Sequence, residues 1–181
     1  GKGTAWEGGQ RVPCIIKYPR DIKAKTIIDE PVMGIDWMPT FSHITGSKLS
    51  DNKIDGKNIW PLLTQKENKS PHKELYFYYR QNELHAVRSG NWKLYFPRSY
   101  RTLNGNPGGK YGMPVKYEYN EVKSNELYNL KEDPNEMKNV YMENIEKAKE
   151  LEKMGENARQ ELGDALTSRV GDGVRKIGTI D

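Results

Sequence analysis

The pattern that most limits the fold is a change of period near the middle of the chain. Leu75-Tyr76-Phe77-Tyr78-Tyr79, Leu84-His85-Ala86-Val87-Arg88 and Trp92-Lys93-Leu94-Tyr95-Phe96 are aromatic and β-branched segments, separated by Gln81-Asn82 and Ser89-Gly90-Asn91. Side chains alternate faces along a strand, and such residues fit a pleated, half-buried surface. The spacing predicts an antiparallel meander, with Glu126 to Leu130 as a fourth strand. Asp133-Pro134-Asn135 then turns the chain toward a helix whose Ile145, Ala148, Leu151, Met154, Ala158 and Leu162 recur at three and four residues. That stripe suits packing on a sheet face. Sheet and helix together predict an α+β sandwich. From Gly163 onward, glycines and charges predict a loosely held end.

Upstream of the meander the signals are shorter. Val12 to Tyr18 is an apolar run bounded by Pro13 and Pro19, which predicts a buried strand end with Cys14 in the core. One cysteine forms no internal disulfide. Asp36 predicts a helix cap before Trp37, Phe41 and Ile44, which fall at i, i+4 and i+7, and Gly46 a left-handed stop. His43 lacks a second ligand at metal spacing and reads as structural. Ile59 to Leu63 predicts a small packed turn. The polar run Gln65 to Ser70 places a boundary between a first part, residues 1–68, and a second, residues 69–181.

Composition excludes some partners. Lys and Arg exceed Asp and Glu by a net +4, with both signs interspersed along the chain, which argues against a nucleic-acid surface. No apolar run approaches membrane-spanning length. Eleven tyrosines and four tryptophans argue for an ordered chain.

The opening run Gly1-Lys2-Gly3-Thr4-Ala5-Trp6-Glu7-Gly8-Gly9-Gln10-Arg11-Val12-Pro13 suits neither helix nor strand and predicts a shaped loop. A lysine between two glycines is a point charge on a tightly turned backbone, suited to sulfate, phosphate or carboxylate. Read alone, the run favours an ordinary glycine-rich surface loop with a solvated lysine, and the P-loop spacing is not met. The run resembles the Gly-Lys-Gly-Thr-aromatic-Glu-Gly-Gly-x-Arg-x-Pro segment of the sulfatase family, of the arylsulfatase A and N-acetylgalactosamine-6-sulfatase type. Four further segments are similar to that family in the same order: Asp36 to Thr40, Asp55 to Leu63, Ala86 to Leu94 and Glu126 to Glu136.

The resemblance implies an α/β, alkaline-phosphatase-like fold of which this chain is the C-terminal portion. It would comprise the last strand and helix elements of the α/β core, then the α+β subdomain. It implies hydrolysis of sulfate esters of carbohydrate or aryl type, with Lys2 contacting the sulfate. A calcium ion and a formylglycine nucleophile are implied for the whole enzyme, with ligands and nucleophile upstream. The chain alone is then expected to be inactive. Family habit implies a periplasmic, lysosomal or secreted location.

Two other readings stay open here: a non-catalytic glycan- or anion-binding module, and a phosphate or phosphonate monoester hydrolase. The long segment from Pro97 to Tyr119 mixes cations, aromatics and glycines, and predicts an irregular loop. Its Arg98, Tyr100 and Arg101 are candidate contacts for a sulfated sugar, or equally a solvated edge of the sheet. His85 is a further candidate contact, whose plainer reading is a satisfied, partly buried histidine. Glu7 and Arg11 are expected to hold the opening loop.

Overall fold

The computed structural model describes residues 3–175. In chain order its elements are α1 (Glu7–Gln10), a 3-10 turn (Gly34–Asp36), α2 (Trp37–Thr45), α3 (Trp60–Leu63), β1 (Leu75–Tyr79), β2 (Glu83–Ser89), β3 (Trp92–Tyr95), β4 (Arg98–Thr102), β5 (Glu118–Val122), β6 (Glu126–Asn129), α4 (Ile145–Leu162) and a last 3-10 turn (Ala165–Thr167). The chain divides into two compact units. One joins the residues up to Val12 to those from Glu74 on; the other is Pro13–Lys73.

The first unit is built on an antiparallel sheet of order β1-β2-β3-β6, as the period-two pattern predicts. On one face Leu84, Val87, Leu94, Phe96 and Leu127 pack against Ala148, Leu151 and Ala158 of α4. Gly155 lets the helix come close: a Cβ there would overlap the Phe96 ring. On the other face Ala86, Tyr95 and Tyr128 receive Ala5 and Trp6 from the opening loop. The sheet thus meets a helix on one side and Ala5 and Trp6 of the opening loop on the other. Leu84 and Val87 are an odd number apart yet share a face because β2 is bulged. Phe77 pairs with Ala86 and Tyr78 with Leu84, leaving His85 as the extra residue.

Two expectations for this unit are corrected. The segment after Pro97 is not wholly irregular, since Arg98–Thr102 and Glu118–Val122 pair as a two-stranded ribbon. The end of the chain is also better held than its composition suggests, as far as residue 175. Asp164 is fully buried, and its carboxylate accepts the Leu84 and Leu166 N–H groups at 3.1 and 3.0 Å and pairs with Arg159 at 2.9 Å. Residues 176–181 lie outside the described residues.

In the second unit Ile59, Trp60 and Leu63 form the core, with Tyr18, Ile22, Ile28, Trp37 and Ile44 around them. Helix α2 ends at Gly46 in the left-handed conformation (φ 71°), as expected. Asp36 does not cap α2 through its side chain. Its buried carboxylate instead accepts Met33 N–H at 2.7 Å and Lys57 N–H at 2.9 Å, and lies 2.8 Å from His72 Nε2. The strand predicted over Val12 to Tyr18 does not form, and Cys14 is exposed rather than in the core. A strand needs a neighbour to satisfy its backbone groups, and no described segment ladders with this one. Ile15 is accordingly 96% exposed. No helix among the described residues is long and apolar enough to cross a membrane.

Candidate functional site

The opening loop carries the candidate chemistry, and its shape is fixed from within. Gly3 has φ +94°, a conformation that favours glycine. Gly9 N–H closes on Trp6 O at 2.7 Å and Arg11 N–H on Glu7 O at 2.8 Å, which makes the single turn α1. Gln10 Nε2 donates to Thr4 O at 2.9 Å. Lys2, the predicted sulfate contact, lies outside the described residues, next in sequence to Gly3.

Beneath the loop the strands present a buried polar set. Lys93 and Tyr95 stand on the same face of β3, two residues apart. Lys93 Nζ donates to Ala5 O at 2.6 Å and to Glu7 Oε1 at 2.8 Å, and lies 3.4 Å from Glu136 Oε1. Arg88 Nη1 pairs with Glu7 Oε2 at 3.1 Å. Glu136 Oε2 accepts the Glu7 backbone N–H at 2.7 Å. The Tyr95 hydroxyl donates to Glu136 Oε1 at 2.5 Å and lies 3.0 Å from Ala5 O. Two cations face two carboxylates, so the charge is balanced where water is excluded. Glu7 thus holds the loop by ion pairs, as its sequence context suggests, whereas Arg11 is exposed.

Burial sets the protonation behaviour of this set. It holds the Lys93 ammonium below its usual range, against the opposing pull of Glu136 and Glu7. Burial, reinforced by the neighbouring Glu136 carboxylate, raises the Tyr95 phenol far above its ordinary value. Tyr95 is therefore a hydrogen-bond donor at all ordinary pH.

The other predicted contacts separate in space. Arg98 is buried, pairs with Glu126 at 3.0 Å and donates to Phe96 O at 3.2 Å. Its guanidinium sits 4.1 Å from the Tyr95 ring centroid and 4.7 Å from that of Trp6. Tyr100 is half-buried with its ring edge-on to Trp6 at 5.5 Å. Arg101 lies against the loop itself: a Cβ on Gly3 would overlap its guanidinium, which also sits 4.8 Å from the Tyr117 ring centroid. His85 is 1% exposed, with Nε2 2.9 Å from Glu83 Oε2, and burial lowers its pKa below the usual value. Of the predicted contacts, Arg101 and Tyr100 are the two whose side chains lie beside Gly3 and Trp6 of the loop, a placement the sequence does not indicate. Sequence reasoning overlooks Lys93, Tyr95, Arg88 and Glu136. The available signal is Lys93, a charge set into an otherwise apolar strand.

Calcium and formylglycine find no matching residues here. Among the described residues no group of three His, Cys, Asp or Glu side chains could hold a metal ion. Asp36 and Asp164 have their oxygens engaged as described above. Cys14 is followed by Ile15-Ile16-Lys17, outside the Cys-x-Pro-x-Arg setting of a formylglycine precursor.

Residues 2–95 match the family described as N-sulphoglucosamine sulphohydrolase, C-terminal, and residues 70–171 that described as C-terminal region of aryl-sulfatase. Human steryl-sulfatase is 40% identical over 119 residues, covering 62% of this chain and 20% of that protein. Human arylsulfatase H is 36% identical over 149 residues, covering 75% and 26%. Bovine arylsulfatase A is 32% identical over 147 residues, covering 77% and 28%.

Among solved structures, one concerns the metabolism of multiple glycosaminoglycans by Bacteroides thetaiotaomicron. It superposes with TM-score 0.66 at 25% identity over 88% of this chain and 31% of that one. The PsFucS1 sulfatase from Pseudoalteromonas sp. gives 0.68 at 22% identity, over 86% and 31%. The chain spans less than a third of the length of each of these relatives. The architecture is that of a C-terminal part of the alkaline-phosphatase-like sulfatase fold, and the chain belongs to the sulfatase family.

Proposed function

We propose that this chain is the C-terminal part of an enzyme that hydrolyses sulfate esters, and that Lys2 binds the sulfate. A sulfate ester carries its charge on non-bridging oxygens, and a preorganised cation beside them stabilises the charge that builds during hydrolysis. Arg101 and Tyr100 complete the substrate-facing group in this reading. Arg98 and His85, each engaged by a carboxylate of the sheet, act beneath it. Calcium and formylglycine, supplied by the upstream part of the protein, would provide Lewis-acid and nucleophilic chemistry.

The observation that carries the reading is the placement of the Arg101 guanidinium against Gly3, next in sequence to Lys2, in a chain matched by relatives named as sulfatases. A guanidinium held against the residue that follows Lys2 in sequence suits the binding of a tetrahedral anion. The substrate class we assign is sulfated carbohydrate or aryl sulfate. A sugar is supported by a relative solved with its substrate D-glucosamine-2-N,6-O-disulfate, 25% identical with TM-score 0.56 over 80% of this chain. By family resemblance the protein works in a periplasm, a lysosome or outside the cell.

The test is Lys2→Ala in the complete protein, assayed in parallel on an aryl sulfate and the corresponding aryl phosphate. Loss of sulfate hydrolysis by about two to three orders of magnitude is expected. Near-normal turnover would overturn the role of Lys2. Faster cleavage of the phosphate would overturn the substrate class.

A further inference from the structure

We propose that Lys93, Tyr95 and Glu136 are positioning residues for the sulfate-binding lysine, fixing the Ala5–Glu7 backbone that follows it in sequence. The inference rests on the reading that Lys2 contacts sulfate. Their contacts converge on a segment of three residues. The Ala5 carbonyl oxygen has both Lys93 Nζ and the Tyr95 hydroxyl within 3.0 Å. The Glu7 N–H is taken by Glu136, and the Glu7 carboxylate bridges Lys93 and Arg88.

Apolar packing alone would stabilise such a face, and a buried ion set is weak evidence for stability because desolvation offsets its attraction. What the set does provide is a single geometry. The Ala5 carbonyl has its partners on β3, and the Glu7 N–H has its partner on the turn that holds Glu136. A displacement of about 1 Å at a catalytic group can cost about a hundredfold in rate. Ala5 is three residues from Lys2, and the Arg101 guanidinium lies against Gly3 between them. In this reading, error at Ala5 passes toward position 2 through only two intervening residues.

Tyr95→Phe is the informative variant. It removes one oxygen, keeps the ring whose centroid lies 4.3 Å from that of Trp6, and leaves all four charges in place. In the complete protein it is expected to lower kcat/KM for an aryl sulfate by ~10- to 100-fold, chiefly in kcat. In a Lys2→Ala background it should cost less than about twofold, because residues acting through one another are not additive. Full additivity, or no effect of Tyr95→Phe alone, would overturn the proposal.

Amide hydrogen exchange of residues 5–11 gives a second readout that does not depend on Lys2. Faster exchange is expected in Tyr95→Phe, and unchanged exchange would also overturn the proposal. If Lys2→Ala proves fully active, the sulfate reading fails. The exchange result then decides alone whether these residues hold the loop. Should Tyr95→Phe not fold, Glu136→Asp, which keeps the charge but draws the carboxylate back from the Glu7 N–H, carries the same expectations.

Discussion

Glu136 and Glu7 meet across 129 residues of sequence, with Glu136 Oε2 accepting the Glu7 backbone N–H at 2.7 Å. Two acidic residues stand together here because Lys93 and Arg88 lie between and beside them. Breaking such a set by removing one partner is costly, since it strands an opposite charge away from water. Glu136→Gln is expected to destabilise the protein by about 3–5 kcal/mol. Adding Lys93→Met should recover much of that loss by restoring the balance of charge. Thermal unfolding of the two single variants and the double variant checks both statements.

Gly155 faces Phe96 without a side chain, and a methyl group placed there overlaps the ring. Alanine is the better helix former by roughly 1 kcal/mol at an unhindered site. Overpacking a filled core costs about 1–3 kcal/mol. The core term wins, so Gly155→Ala is expected to lower the melting temperature, and Gly155→Ala with Phe96→Leu to regain part of it. A rise in melting temperature for the single variant would contradict the close packing of α4 on the sheet.

Asp36 satisfies two backbone N–H groups and faces His72 from a fully buried position. Asp36→Ala leaves all three without their acceptor, and each buried unpaired group costs about 1–3 kcal/mol. Losses in unfolding free energy near the upper end of that range, or above it, are expected in chemical denaturation. His72→Ala removes one partner only and should cost less.

His85 gives a pH dependence of defined sign. Its pKa is lowered in the folded protein mainly by burial, with Arg98 and Arg80 adding to the shift and Glu83 opposing it. Above the ordinary histidine value of about 6.5 both folded and unfolded chains hold it neutral. Below that value the unfolded chain binds the proton more readily, so stability falls as pH falls toward the folded pKa. Denaturant unfolding of wild type and His85→Gln between about pH 7 and pH 5 should show a steeper loss in wild type. Parallel curves would contradict it.

The sheet and α4 are legible because burial on one face writes a period into the sequence: Leu94, Leu127, Leu151 and Ala158 recur where strand and helix geometry require. The ribbon is not legible, because β5, Glu-Tyr-Asn-Glu-Val, is almost wholly exposed and carries no alternation. Cys14 and Ile15 look like core by composition, yet burial depends on what lies opposite, and that is not written in the segment itself. Among site residues, the glycines and lysine of the opening run are legible as a loop that could meet an anion. Their supports are not, because Lys93 reads as a solvent-facing strand residue until Glu7 and Glu136 arrive from opposite ends of the sequence.

Because the residues before Pro13 fold with the part of the chain after Lys73, the opening segment behaves toward the sheet as a tethered peptide ligand. Proteolytic nicking in the exposed stretch around Ile15 would cut the tether without removing the ligand. A synthetic peptide spanning the opening segment, added to a protein that lacks it, should then dock on the Lys93–Tyr95 face. The contact is in effect a built-in split-protein junction, open to complementation and to screening for competitors.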